Sequence, residues 1–78
     1  MEKITFSQVA KWNATLTNPY RTRYAGWDGR YFKVSAETIN GVWDVEEIDA
    51  NGNPLGYAGV ALTLGEAKIT IRRYARNT

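Results

Sequence analysis

Apolar positions recur along this chain with two different spacings. From Phe6 to Leu16 the spacing is helical, so that Phe6, Val9, Ala10, Trp12 and Leu16 share one face. Thr5 stands where a cap belongs, Gln8 three positions on completes a capping box, and Ile4 and Val9 occupy staple positions. Asn18-Pro19 closes the segment, because the residue before a proline is pushed out of the helical region. The pattern predicts a helix over about residues 6–15.

The period then shortens to two. Tyr20, Thr22 and Tyr24 alternate with Arg21 and Arg23, as in a half-buried strand, and Trp27-Asp28-Gly29 supplies a hairpin turn. Tyr31 to Ala36 alternates again, with Phe32, Val34 and Ala36 on one side and Tyr31, Lys33 and Ser35 on the other. Asn40-Gly41 marks a second turn. Val42 to Ile48 follows, with Trp43 and Val45 inward and Asp44 and Glu46 outward. Ile48 has the wrong parity for this alternation, which predicts a bulge at Glu46-Glu47. Asn51-Gly52 forms a third turn, and residues 54–61, with Pro54, Gly56 and Gly59, read as a short or irregular edge strand.

A second capping box, Thr63 with Glu66, opens the last segment. Leu64, Ala67, Ile71, Tyr74 and Ala75 fall on one helical face, and Lys68, Ile69, Arg72, Arg73 and Arg76 fall largely on the other. The β-branched run Ile69-Thr70-Ile71 competes as a strand over Lys68 to Arg73, but the cap and the length needed to reach Tyr74 favour helix. The expected fold class is α+β: an antiparallel three- to four-stranded sheet with amino- and carboxy-terminal helices on one face, in the order α-β-β-β-(β)-α. Residues 1–78 are expected to form one compact domain. Its expected core is Phe6, Val9, Trp12, Leu16, Phe32, Val34, Trp43, Val45, Leu64, Ala67, Ile71 and Tyr74.

Composition narrows the chemistry. With 78 residues the domain is near the lower size limit for a core without disulfides or metal, and its aromatic residues, three of them tryptophan, compensate. The chain has neither cysteine nor histidine. That removes thiolate and imidazole chemistry, disulfides and the common zinc sites. No apolar run approaches the ~20 residues that cross a bilayer, and Met-Glu-Lys-Ile-Thr resembles no signal peptide. A soluble cytoplasmic domain with no membrane association is expected.

Net charge is +2, distributed in blocks: basic over residues 1–36, acidic over 37–67 and basic again over 68–78. Acidic and basic strands side by side in a sheet would account for the first two blocks. The last block is the best candidate for binding. Ile69 is followed at three-, four- and seven-residue spacing by Arg72, Arg73 and Arg76, so all four project from nearby points. An isoleucine framed by planar guanidinium groups suits a protein contact, with Trp27 and Tyr31 as extensions of the same surface. The bland alternative is a solvated face whose arginines offset the helix dipole.

A second candidate is the hairpin in which Arg21, Arg23, Arg30 and Lys33 interleave with Tyr20, Tyr24, Trp27 and Tyr31, a combination able to track phosphates while rings stack on bases. Asp44 and Glu46 on the neighbouring strand would repel phosphate, which favours a charge ladder instead. Asp49, Asn51 and Asn53 match the opening of a calcium loop, but Pro54 replaces the required glycine and Val60 the distal glutamate. Gly56 and Gly59 are followed by no phosphate-loop lysine. No catalytic residue, cofactor or metal is expected.

The order of motifs from Tyr31 to Tyr74, with Trp43-Asp44-Val45 and Thr63-Leu64-Gly65-Glu66-Ala67-Lys68, resembles small accessory proteins of phages and bacteria. In those, a W-x-V … G … TL-x-EA-K pattern closes a three-stranded sheet with one helix. More remotely, it is similar to the sheet-plus-helix DNA-binding domains of plant ethylene-response factors and tyrosine-recombinase amino termini. That second resemblance implies Arg21, Arg23, Arg30 and Lys33 as readers of the major groove, from which Asp44, Glu46 and Glu47 depart. The element order is also superficially like the double-stranded-RNA-binding fold, but Leu64-Gly65-Glu66 stands where such domains carry lysines. The first resemblance implies a non-enzymatic protein-binding module that engages or inhibits a host protein. Nucleic-acid binding through residues 20–33 is the alternative, and homo-oligomerisation through an edge strand or Ile69 is a related expectation.

Overall fold

Asp28 and Gly29 adopt φ of 54° and 72°, the pair of left-handed conformations that a two-residue type I′ turn requires. This turn joins β1 (Thr22–Trp27) to β2 (Arg30–Ser35), with Trp27 opposite Arg30 and Thr22 opposite Ser35. The molecule is represented by a computed structural model that describes residues 3–17, 21–36 and 41–78. Asn18-Pro19, Tyr20 and Asn40, read above as a helix stop, a strand start and half of a turn, lie outside the described residues. Strands β3 (Trp43–Ile48) and β4 (Pro54–Ala61) complete an antiparallel sheet of order β1-β2-β3-β4, and α1 (Leu64–Arg76) follows.

The fold is therefore α+β, with one helix rather than two among the described residues. Residues 3–17 form no helix. Ser7 pairs with Tyr24 on the outer edge of β1, with N–H to carbonyl distances of 2.9 and 2.7 Å, and Val9 pairs with Thr17. Local side-chain bonds compete with helical ones along this segment. The Asn13 carboxamide oxygen accepts from Thr15 N–H at 3.1 Å and from its hydroxyl at 2.6 Å, and the Ser7 hydroxyl donates to the Val9 carbonyl at 2.6 Å. The apolar residues of the segment also go to different places. Ile4 and Phe6 join the core beneath α1, whereas Ala10, Trp12 and Leu16 cover the opposite face of the sheet. The segment wraps the β1 edge, and Val9, expected in the core, is exposed at the crossing.

This wrapping gives the sheet two apolar faces. Ala25, Phe32, Val34 and Val45 face α1 with Ala61, Ala67 and Ile71, and Trp43, Leu64 and Tyr74 pack at the margin. Tyr24 and Ile48 face the other way. Trp12 closes over them, its ring 4.4 Å from Tyr31 and edge-on to Tyr24, while its indole N–H donates to the Ala50 carbonyl at 3.2 Å. The parity of Ile48 follows from this second face. Register shifts do occur at Val45/Glu46 and Glu47/Ile48, but the residues left without a partner, Ala58 and Leu55, belong to β4. The bulges are on β4 and not at Glu46-Glu47.

Helix α1 begins as the sequence indicates. Thr63 is extended (φ −139°, ψ 165°) and its hydroxyl accepts from Glu66 N–H at 3.0 Å, and Asn77 caps the end through its N–H to the Tyr74 carbonyl. The helix lies over β4 and β3 and runs back along β4, with Thr70 against Gly59 and Tyr74 against Gly56. A Cβ at Gly56 would collide with the Tyr74 hydroxyl, so glycine there is the seat of the helix.

Candidate functional site

The inward stripe of α1 is Ala67, Thr70, Ile71 and Tyr74. Leu64, Lys68, Arg72 and Ala75 turn towards the amino-terminal segment and β1, where they meet Ile4, Phe6 and Trp27. By helical geometry Glu66, Ile69 and Arg73 then lie on the opposite flank, towards the free edge of β4. Ile69 is 53% exposed, and Glu66, Arg73 and Arg76 are also exposed. Arg72, Ala75 and Arg76 share with Trp27 and Asp28 a shallow cleft of about 220 Å³. The expected group of Ile69, Arg72, Arg73, Arg76, Trp27 and Tyr31 is thus divided. Trp27 meets Arg72 and Arg76, Ile69 and Arg73 occupy the other flank, and Tyr31 lies under Trp12 on the far side of the sheet.

The four candidate nucleic-acid residues do not converge either. Arg21 is exposed before β1, and Arg23 is half-buried on the α1 side, donating to the Thr22 carbonyl at 3.0 Å. Arg30 is engaged with Glu47, and Lys33 stands opposite Glu46 on the other face. The register thus gives one rung of the charge ladder that the sequence favoured, Lys33 beside Glu46, while Asp44 stands opposite Ser35.

Three carboxylates, those of Glu47, Asp49 and Asp44, are already committed. Glu47 accepts two parallel bonds of 2.8 Å from Arg30 and a third of 3.0 Å from the Tyr74 hydroxyl. The Arg30 guanidinium, helped by that hydroxyl, holds the Glu47 carboxyl below its usual range against the opposing effect of burial. Burial, and then the bond to Glu47, pushes the Tyr74 hydroxyl up. Asp49 is lowered by bonds from the Asn53 side chain and from backbone N–H groups of its own turn, so its oxygens serve that turn. Tyr57 donates to Asp44 at 3.1 Å, and burial followed by this bond raises its pKa. Among the described residues no three acidic side chains group to hold a metal ion, and no helix is long and apolar enough to cross a membrane.

Sequence reasoning missed the exposed apolar residues of β4. Leu55, Tyr57, Val60 and Leu62, all on or just after β4, are between 55% and 66% exposed. Tyr57 and Val60 point to the same face, opposite Glu46 and Asp44, because the extra residue Ala58 lies between them. Strict alternation would have set them on opposite faces. One signal was available: residues 50–65 contain no charged side chain, so β4 lacks the lysines that commonly guard an edge. The other edge, β1, is paired to Ser7.

No family model, curated protein or solved structure matches this chain.

Proposed function

We propose that this chain is a small non-enzymatic protein-binding module whose docking surface is the free edge of β4 together with the adjoining flank of α1. One observation carries this reading. Of the large apolar side chains exposed among the described residues, all but Val9 lie on β4, at its end or on that helix: Leu55, Tyr57, Val60, Leu62 and Ile69. Tyr57 and Val60 project from the face of the sheet away from α1 and Ile69 from the helix, so the exposed apolar side chains flank the β4 edge on both sides, a common mark of a protein interface. The outer edge of β4 adds main-chain bonding for a partner, and Arg73 supplies a charge at its rim. This is the kind of surface by which a small accessory protein engages a larger one, as the motif order suggests.

The test compares capture by the tagged chain with capture by the double variant Ile69→Asp, Arg73→Glu, with bound polypeptides, further copies of the chain included, identified by mass spectrometry. The expected result is loss of every specific polypeptide in the variant with a thermal midpoint within about 2 °C of wild type, because both side chains are exposed. Identical capture by both proteins would refute the assigned surface. So would a collapse in stability, which would make Ile69 a core residue.

A further inference from the structure

We infer that the partner of this edge is a second copy of the chain, bound about a two-fold axis that continues the sheet from β4 to the partner's β4. The inference rests on the docking surface proposed above and identifies its occupant.

The reasoning starts from β4. Antiparallel pairing of two identical strands requires a dyad perpendicular to the sheet, and each residue then meets a residue the same distance beyond the axis. With the axis between Ala58 and Gly59, Tyr57 stands opposite the partner's Val60, and Leu55 opposite the partner's Leu62. Each exposed apolar side chain of β4 thereby gains an apolar neighbour. Tyr57 and Val60 already share a face, so theirs is an aromatic to β-branched pair, one of the favourable cross-strand combinations. The strand carries no charge, so none is brought against its own image.

The helix supplies a separate condition. A dyad perpendicular to the sheet leaves both helices on one face, side by side and antiparallel. Thr70 lies against Gly59, so an axis beside Ala58 and Gly59 passes α1 close to Ile69 and Thr70. Antiparallel registration about that point sets Glu66 opposite the partner's Arg73, and Arg73 opposite the partner's Glu66, with the two copies of Ile69 between them. By helical period Glu66 and Arg73 lie on the flank nearest this edge, and Ile69 stands above them towards solvent. The two registers, chosen independently for apolar contact and for charge, call for the same axis.

Spacing is compatible as well. Strands pair about 4.8 Å apart, and α1 rests on both β4 and β3. Each helix axis then stands about 4–5 Å from the dyad, which separates the two helices by about 8–10 Å, the distance of packed helices.

Sedimentation equilibrium of the full chain from about 5 to 500 μM tests the inference, since self-association must depend on concentration. The expected result is a species of twice the 8.8 kDa chain mass. Glu66→Arg and Arg73→Glu should each raise the dissociation constant about tenfold or more, because each places like charges together twice. The double variant Glu66→Arg, Arg73→Glu should return it to within about threefold of wild type. A wild-type chain that stays monomeric overturns the inference, as does a dimer indifferent to the single swaps or a double variant weaker than both. If the monomeric chain still captures another polypeptide in an Ile69-dependent manner, the docking surface stands and only its occupant is wrong.

Discussion

Arg30 and Glu47 meet beneath the last turn of α1 through two parallel 2.8 Å bonds, Nε to Oε2 and Nη2 to Oε1. The same guanidinium donates to the Thr78 hydroxyl at 2.8 Å, and the Tyr74 hydroxyl completes the carboxylate. Strands β2 and β3 are thereby tied to the end of the helix. Removing one member leaves the other charge largely buried without its partner. Glu47→Ala is expected to cost about 3 kcal/mol in chemical denaturation.

The same pair makes a pH prediction. The Glu47 carboxyl is held below its ordinary value of 4.5 by Arg30, so the pair's contribution is complete above that value and is lost as pH falls through the lowered one. The thermal midpoint of the wild type should therefore fall more between about pH 5 and pH 2.5 than that of Glu47→Gln. Equal slopes would show that the carboxylate carries no such linkage.

Trp12 anchors the amino-terminal wrap by stacking on Tyr31 and donating to Ala50. Trp12→Ala should destabilise by about 3 kcal/mol and leave far-ultraviolet helical signal unchanged, since residues 3–17 hold no helix. A loss of helical signal in the folded variant would contradict the wrap.

Gly56 lets Tyr74 cross β4 closely enough to reach Glu47. Gly56→Ala is expected to cost about 2 kcal/mol, and Tyr74→Phe should relieve part of that penalty because the hydroxyl is the group struck. A thermal midpoint unaffected by Gly56→Ala would mean that the helix does not rest there.

Local signals in the sequence were accurate at the Asp28-Gly29 turn and the Thr63 cap, though not at Thr5, where the same capping pattern opens no helix. Asp28-Gly29 makes its turn because both residues tolerate positive φ, and Thr63 caps because its hydroxyl reaches Glu66 N–H. The amino-terminal pattern misled because Phe6 and Trp12 serve opposite faces of a sheet, and helical spacing cannot distinguish that from one helical face. Ile48 misled for the same reason: its parity is regular once the sheet has two cores. Of the candidate surface, Ile69 and its arginines were legible from helical period. Tyr57 and Val60 were not, because the unpaired Ala58 that aligns them is a property of β4 against β3 and leaves no trace in either strand alone.

The most direct measurement is a dilution series of amide chemical shifts on the isotope-labelled chain. Shifts that change with concentration should be confined to residues 55–62 and 66–73, and should vanish in Ile69→Asp. Concentration-dependent shifts centred on Trp12 and Tyr31, or none at any concentration, would contradict a two-fold contact at the β4 edge.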